Sequence, residues 1–380
     1  MKGTFLSIFL LAVLAGTNTR AMAVEFVMVG PRATGMGGAG VVVTTDALAT
    51  YWNPAGLAMT QTVDIRIQGS GQAIDRLDLR DAIDDLENFN TNDPSAANLA
   101  NAQDIANRIN QPSATASFNG SAGFYLKGRF GDHAFGFNVS DVATGGGFVS
   151  TPVKVEQVVP GVSPINLTGT MTLPGLEARQ LAFSYAYAFA EKTLSIGVTA
   201  KIIQGAAYSG TMALQGGRGV SITDNFGKAT ISTNFGIDVG AIYRPASWLR
   251  LGVVAKDINH PTFDAPGGGE LALEPQVRAG VAVNPYSTLT LTVDVDATAN
   301  KTFLPGIKSQ VVSLGAEQTI LSEFLSFRIG TFKNMKDAAT PFTPTAGLGL
   351  RIFSFRADVG GGYDFRAEGA LVSGSVSWTF

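Results

Sequence analysis

From Thr62 to the last residue, apolar and polar side chains alternate with a period of two, the spacing of strands with one greasy face and one wet face. In Leu289–Asp296, the residues Leu289, Leu291, Val293 and Val295 take one face, and Thr290, Thr292, Asp294 and Asp296 take the other. Leu181–Phe189 sorts by size, with Leu181, Phe183, Tyr185, Tyr187 and Phe189 against Ala182, Ser184, Ala186 and Ala188. Phe355–Phe365 repeats the pattern, setting Phe355, Ala357, Val359, Tyr363 and Phe365 against Arg356, Asp358 and Asp364. About fourteen such segments are predicted: 62–74, 113–128, 132–149, 167–190, 192–208, 228–244, 247–258, 275–285, 287–298, 307–320, 323–333, 342–353, 354–366 and 370–380.

The connections between these segments alternate in length. Short ones fall near Gly131, Glu191, Pro245, Pro285, Ser322 and Ser354, and long ones at 75–112, 150–166, 209–227, 259–274, 299–306 and 334–341. Short turns on one side and long loops on the other are the plan of an outer-membrane barrel. A soluble sandwich or propeller is the alternative, but it gives no reason for loop length to follow parity. The fold expected is all-β, a transmembrane antiparallel β-barrel of about fourteen strands. Parity then assigns Lys127, Lys201, Asp238, Arg250, Lys256, Arg278, Asp294, Asp296, Glu317, Arg328, Arg351, Arg356, Asp358, Asp364 and Arg366 to the lumen. Tyr185, Tyr187, Tyr243, Trp248, Tyr363 and Trp378 are candidates for interfacial girdles.

Two stretches break the period. In 75–112, Leu79, Ile83 and Leu86 share one helix face and Ala102, Ile105, Ala106 and Ile109 another, while Asp81, Asp84, Asp85 and Glu87 lie on the wet side. This reads as a helical extracellular loop, with Leu79, Ile83 and Leu86 as an apolar access pocket, or alternatively as an acidic cap. The other stretch, Pro31–Ala58, places Gly35, Gly37, Gly38 and Gly40 within six residues and ends near Asn53-Pro54-Ala55-Gly56. Glycine at that density serves backbone pressed against other structure. Residues 24–61 are therefore expected to be an N-terminal hatch inside the lumen, and 62–380 the barrel around it.

Composition sharpens the class. The chain has 45 glycines among 380 residues, no cysteine, 45% hydrophobic and 15% charged residues, too apolar for a disordered tail. Lys2, the apolar run Phe5–Ala15 and Ala21-Met22-Ala23 predict a signal peptide over 1–23, followed by export across a Gram-negative envelope. Its removal takes away Lys2 and Arg20 and no acid, moving the net charge from −3 to −5 and arguing against nucleic acid as a partner.

Candidate chemistry is sparse. Gly35-Met36-Gly37-Gly38-Ala39-Gly40 satisfies G-x-G-x-x-G, but a β-branched run follows it where a dinucleotide site needs a helix. The two histidines, His133 in a predicted turn and His260 in a long loop, carry no nucleophile or metal spacing, so no catalytic residue, metal or cofactor is assigned. Asp294 and Asp296 read as lumenal ion-pair partners rather than a calcium site. Of three Gly-Gly-Gly runs, 145–147 and 267–269 read as loop-relaxing, and Gly360-Gly361-Gly362 as a strand kink that opens a lateral gap.

The hatch residues also carry a resemblance. Arg32-Ala33-x-Gly35-Met36-Gly37-Gly38-Ala39-Gly40-Val41, then Asp46-Ala47, then Tyr51-Trp52-Asn53-Pro54-Ala55-Gly56-Leu57 resembles the FadL/TodX superfamily of outer-membrane transport proteins and its TraF-like and PorV-like relatives. The terminal Val376-x-Trp378-x-Phe380 is like the recognition signal of outer-membrane barrels. The Gly-Met-Gly-Gly-Ala-Gly form is shared more with the TraF-like and PorV-like branches. The resemblance implies fourteen strands around a hatch, with Gly35, Gly37, Gly38, Gly40, Asn53, Pro54 and Ala55 as gating residues. It also implies hydrophobic compounds passing from an outer pocket into the wall. The function expected is a non-enzymatic outer-membrane channel for hydrophobic small molecules, of fatty-acid or aromatic-hydrocarbon type, surrounded by outer-membrane lipid. The alternative is an interaction barrel of the TraF/PorV-like type that binds secretion, conjugation or other envelope proteins.

Overall fold

The structure, a computed structural model, describes residues 26–60, 62–220, 225–337, 341–366 and 368–380. The expected signal peptide lies outside the described residues, as do residues 24, 25 and 61 of the expected hatch.

The first described segment is the plug, with helical turns α1 (Pro31–Gly35) and α2 (Ala49–Trp52) and a 3-10 turn at Pro54–Met59. Helices α3 (Leu79–Glu87) and α4 (Ala96–Ile109) follow the first strand. The strands are β1 (Asp64–Arg76), β2 (Thr115–Phe130), β3 (His133–Glu156), β4 (Asn166–Phe189), β5 (Leu194–Gln215), β6 (Thr230–Ala246), β7 (Leu249–Lys256), β8 (Thr262–Asp264), β9 (Glu270–Ala272), β10 (Gln276–Tyr286), β11 (Leu289–Asp296), β12 (Asn300–Lys301), β13 (Lys308–Ser309), β14 (Val311–Ile320), β15 (Leu325–Asn334), β16 (Thr343–Ile352), β17 (Phe355–Asp364) and β18 (Gly369–Thr379). Fourteen of them close an antiparallel barrel, and β8–β9 and β12–β13 form two small hairpins in the long loops.

Closure joins β1 to β18 in register from Asp64 opposite Thr379 to Ala73 opposite Ala370. Val63 and Phe380 exchange backbone hydrogen bonds of 3.0 and 2.9 Å, so the C-terminal aromatic seals the seam. No backbone edge is left for lipid, the condition a spanning sheet must meet.

The two faces sort as the period of two requires. Ile329, Phe183 and Val372 on the outer wall keep 67%, 56% and 68% of their surface exposed, an uncovered apolar band that suits hydrocarbon. Inside, Arg66, Lys127, Lys201, Asp238, Arg278, Asp294, Glu317, Arg328 and Asp358 are buried. Arg351 departs from the expected set by pairing with Glu323 beside the short turn, and Arg366 lies exposed beyond the end of β17.

β3, β4 and β5 run for 24, 24 and 22 residues, about twice the length needed to span. The loops expected at 150–166 and 209–227 are shorter as a result, because β3 continues to Glu156 and β5 to Gln215. Register shifts between Val149, Thr151 and Lys154 break the alternation that would have marked this extension. Gly145-Gly146-Gly147 is likewise not a loop. It pairs with Phe118, Ser117 and Ala116 of β2, and side chains of Phe118, Leu304 and Met171 occupy the space its missing side chains leave. α3 and α4 pack on these tall strands, burying Leu79, Leu86, Ile105 and Ile109 against Val153, Leu167, Met171, Leu173, Met212 and Leu214. Ser95 caps α4, its Oγ accepting from the Asn98 amide at 3.2 Å.

Candidate functional site: the plug seat and the outer cavity

The plug has a core of its own. Phe26, Val29, Met36, Val41, Val42, Leu48 and Trp52 pack together, and Tyr125, Val142, Val254 and Ala282 of the wall complete the cluster. The Trp52 indole donates to the Val29 carbonyl at 2.7 Å and the Tyr51 hydroxyl to the Val27 carbonyl at 2.8 Å, so both aromatics are buried with their polar ends satisfied. The Lys256 ammonium stands over the Tyr51 ring at 3.3 Å from its centroid.

Each of the four clustered plug glycines meets a surface. Gly37 holds φ +68°, and a Cβ there would stand 2.3 Å from the Thr331 carbonyl oxygen of β15. At Gly35 a Cβ would lie 3.0 Å from the Gly347 Cα of β16, at Gly38 it would meet Met28, and at Gly40 the Trp52 ring. The wall answers with glycines of its own. Added side chains at Gly315 and Gly330 would strike Met36, at Gly240 Asn53, and at Gly197 Pro54. This complementary set was missed from sequence, where a lumen-facing glycine looks like any other interruption of a strand.

Asn53 is a three-way clamp. Its Oδ1 accepts from the Ala55 amide at 3.1 Å, opening the 3-10 turn, while Nδ2 donates to Val41 at 3.1 Å and reaches the Val253 and Ala241 carbonyls of the wall at 3.3 and 3.4 Å. Pro54 sits at the first position of that turn, and the Ala55 carbonyl accepts from Ser195 Oγ at 2.7 Å. Gly360, Gly361 and Gly362 pair without a register shift with Gly347, Ala346 and Thr345 on one side and Ser373, Val372 and Leu371 on the other. Gly360 faces the plug, where a Cβ would lie 2.5 Å from the Pro31 carbonyl oxygen.

Charge fastens the plug further. Asp294 Oδ2 accepts from the Gly40 and Val41 amides at 2.7 and 2.8 Å. Arg32 and Arg328 both donate from Nε to Glu317 at 2.9 Å, and Arg328 Nη2 lies 2.8 Å from Asp358. Arg66 joins Asp46 of the plug at 3.0 Å. Burial alone would raise the Asp46 carboxyl, but Arg66, Arg32 and Arg356 outweigh it and hold it below its ordinary value. Lys127 Nζ donates to the Thr45 carbonyl at 2.7 Å, closing the end of the plug nearest the short turns. His133 is occupied elsewhere, its Nδ1 2.8 Å from the Tyr185 hydroxyl.

Beyond the plug, on the outward-facing side of the tall strands, a cavity of about 380 Å³ opens between α3, the far ends of β1–β4 and the segment after β5. Leu79, Ile83, Phe118, Met171, Leu173, Val220 and Phe226 line it, with Arg80, Asp84 and Glu87 among its charged lining groups. Two residues of the expected access pocket, Leu79 and Ile83, face it, whereas Leu86 is packed in the helix–strand core. Volume and lining suit an apolar ligand of small-molecule size.

Residues 50–296 match the family described as F plasmid transfer operon, TraF, protein. No curated protein matches the chain. Among solved structures, the fold is similar to the CymD monoaromatic hydrocarbon channel at 14% identity and a TM-score of 0.55, covering 94% of this chain and 98% of that one. It is also similar to the Ralstonia pickettii toluene transporter TbuX, at 14% identity and 0.52 over 92% and 97%. A Pseudomonas aeruginosa FadL homologue matches at 12% identity and 0.51 over 93% and 98%.

Proposed function

The chain belongs to the family described as F plasmid transfer operon, TraF, protein, within the FadL/TodX-type barrels, and from that premise we propose an outer-membrane channel for hydrophobic small molecules whose plug is the gate. The observation that carries this reading is the apolar cavity under α3, on the side where the loops are long. Proteins of the same fold include a monoaromatic hydrocarbon channel and a toluene transporter, which supports an apolar cargo. Transport is passive in this reading, and the ligand's own partitioning drives it from water into the cavity.

A disulfide tests the gate. The Thr50 methyl of the plug lies 2.4 Å from the place a Cβ on residue 136 of β3 would take, so Thr50→Cys with Gly136→Cys brings two thiols into bonding range. Oxidised cells should lose uptake of a labelled aromatic hydrocarbon and recover it on reduction. Equal uptake in both states would refute the plug as gate. Ile83→Asp should weaken hydrocarbon binding to the purified barrel about tenfold or more by placing charge in the cavity.

One observation favours a second reading, an interaction barrel for envelope proteins. Ion pairs and amide contacts tie the plug to wall strands on opposite sides, including β1, β11 and β14, which supports a static plug. Affinity purification from native membranes would then recover a stoichiometric partner, and a barrel recovered alone counts against it.

A further inference from the structure

The cavity under α3 lies against the outer face of the wall. β1 and β2 pair without interruption from Asp64 opposite Lys127 to Arg76 opposite Thr115, and β2 and β3 from Phe130 opposite His133 to Thr115 opposite Phe148. Within that ladder Ala73, Asp75, Ala116 and Phe118 of the cavity lining have the outward parity, and the buried Arg66, Gln68 and Tyr125 have the lumenal one. The cavity therefore faces the edge of the bilayer and the outside, with the sheet between it and the plug.

Along the outward face of β1 the side chains shrink from this cavity toward the bilayer. Asp75 and Ala73 line it, Gly71 and Gly69 come next, and then Ile67, 52% exposed in the apolar band. The cross-strand neighbours are small too, Gly120 of β2 opposite Gly71, and Ala122 of β2 and Gly374 of β18 on either side of Gly69. A Cβ at Gly69, Gly71 or Gly374 would meet nothing within 4 Å, so bare backbone floors a trough that leads from the cavity into the apolar band, with the exposed Val372 and Phe124 beside it. The other end is polar. Asp75 Oδ2 accepts from the Arg80 amide at 3.1 Å, while Oδ1 is buried and has no hydrogen-bond partner among the described residues, an acceptor that calls for a donor. Four carboxylates, Asp75, Asp84, Glu87 and Glu368, line the cavity against the guanidinium of Arg80, whose neighbour one turn along α3 is Asp84 itself. A negative rim above an apolar floor favours a cation that carries a hydrocarbon chain.

We propose that the cavity under α3 is a membrane-facing site for a cationic single-chain amphiphile, an alkylammonium whose head donates to Asp75 between Asp84 and Glu87 and whose chain lies over Gly71. The proposal rests on the reading of the cavity as a ligand site, and it narrows that ligand by charge and by shape.

In nanodiscs of zwitterionic lipid, the fluorescence of N-phenyl-1-naphthylamine above that of empty discs reports occupancy of the cavity, and decylammonium, decanol and decyl sulfate compete for it at matched membrane concentrations. Decylammonium should displace the probe at a concentration about tenfold or more below that of decyl sulfate, with decanol between them. Asp75→Asn with Asp84→Asn and Glu87→Gln should bring all three within about threefold while the probe still binds. Gly71→Leu fills the trough in space that is open on the outer wall. It should weaken decylammonium about threefold or more and leave butylammonium, too short to reach residue 71, unchanged. Equal displacement by decylammonium and decyl sulfate in the native protein would overturn the proposal and leave the cavity as a site for neutral ligands. Decylammonium unaffected by Gly71→Leu would overturn the trough as the seat of the chain. A probe that does not bind at all would overturn the cavity as a ligand site, and the alkylammonium with it.

Discussion

At Gly37 two constraints coincide, a left-handed backbone and a facing carbonyl oxygen 2.3 Å from where a Cβ would be. Either constraint alone costs a branched residue about 1–2 kcal/mol, and together they leave it nowhere to move. Gly37→Val is expected to lower the fraction of heat-modifiable, folded barrel recovered from membranes. The wall supplies the sharper contrast. Gly240 has the Asn53 amide oxygen 2.0 Å from its absent Cβ, whereas Gly374 has nothing within 4 Å. Gly240→Ala should therefore destabilise by about 1–3 kcal/mol and Gly374→Ala by under about 0.5, read as the midpoint of thermal unfolding on gels. Plug glycines were legible in the sequence because they cluster. Their wall partners were not, because Gly197, Gly240, Gly330 and Gly347 are scattered singly through four strands, and only the closed barrel brings them to one surface.

Among elements, the strands with strict alternation were the ones the sequence revealed. β11 begins and ends within two residues of the expected 287–298, since nothing interrupts its period between Leu289 and Asp296. β3 was cut short where Gly145–Gly147 and then two register shifts removed the pattern, although the backbone ladder continues through both. The hairpins β8–β9 and β12–β13 are two or three residues per strand, too short for any period to show. The contact of the plug with β14 is the element-level feature that energetics can test. Glu317 receives both Arg32 and Arg328, so Glu317→Ala leaves Arg32 without its carboxylate and the buried Arg328 with Asp358 alone. A loss of about 3–5 kcal/mol is expected, against a smaller loss for Arg32→Ala, in which Glu317 keeps Arg328. Acid acts on the same seat through Asp46. Its carboxyl is held low, so its contribution is full at neutral pH and is lost as pH falls below about 4, through the folded-state value. Protease sensitivity of the plug should rise over that window in the native protein, and Asp46→Asn should flatten the response. A native profile as flat as that of the variant would count against the Asp46–Arg66 contact as a latch.

For the whole molecule, the decisive quantity is what fills a fourteen-strand lumen. Barrels of eight strands are filled by their own side chains, and those of sixteen leave a water channel. Here the inner wall is mostly polar, and its charges, among them Arg66, Lys127, Arg278, Asp294, Glu317, Arg328 and Asp358, reach residues 26–60 or one another instead of water. The apolar outer wall and the seam at Phe380 do not depend on the plug, so the barrel can close without it, and the exposed charges would then hydrate. Deleting residues 26–60 while keeping residues 1–25 should give a folded barrel that conducts ions in a planar bilayer, with the full-length protein electrically silent. The same deletion should leave binding of the fluorescent probe N-phenyl-1-naphthylamine under α3 intact, because that cavity is built from β1–β4, α3 and the segment after β5, with no plug residue in its lining. A deleted barrel that folds and stays silent would mean that the hairpins carrying Phe263 and Phe303 close the lumen by themselves, and the gate would then have to be sought in those loops rather than in the glycine-rich segment.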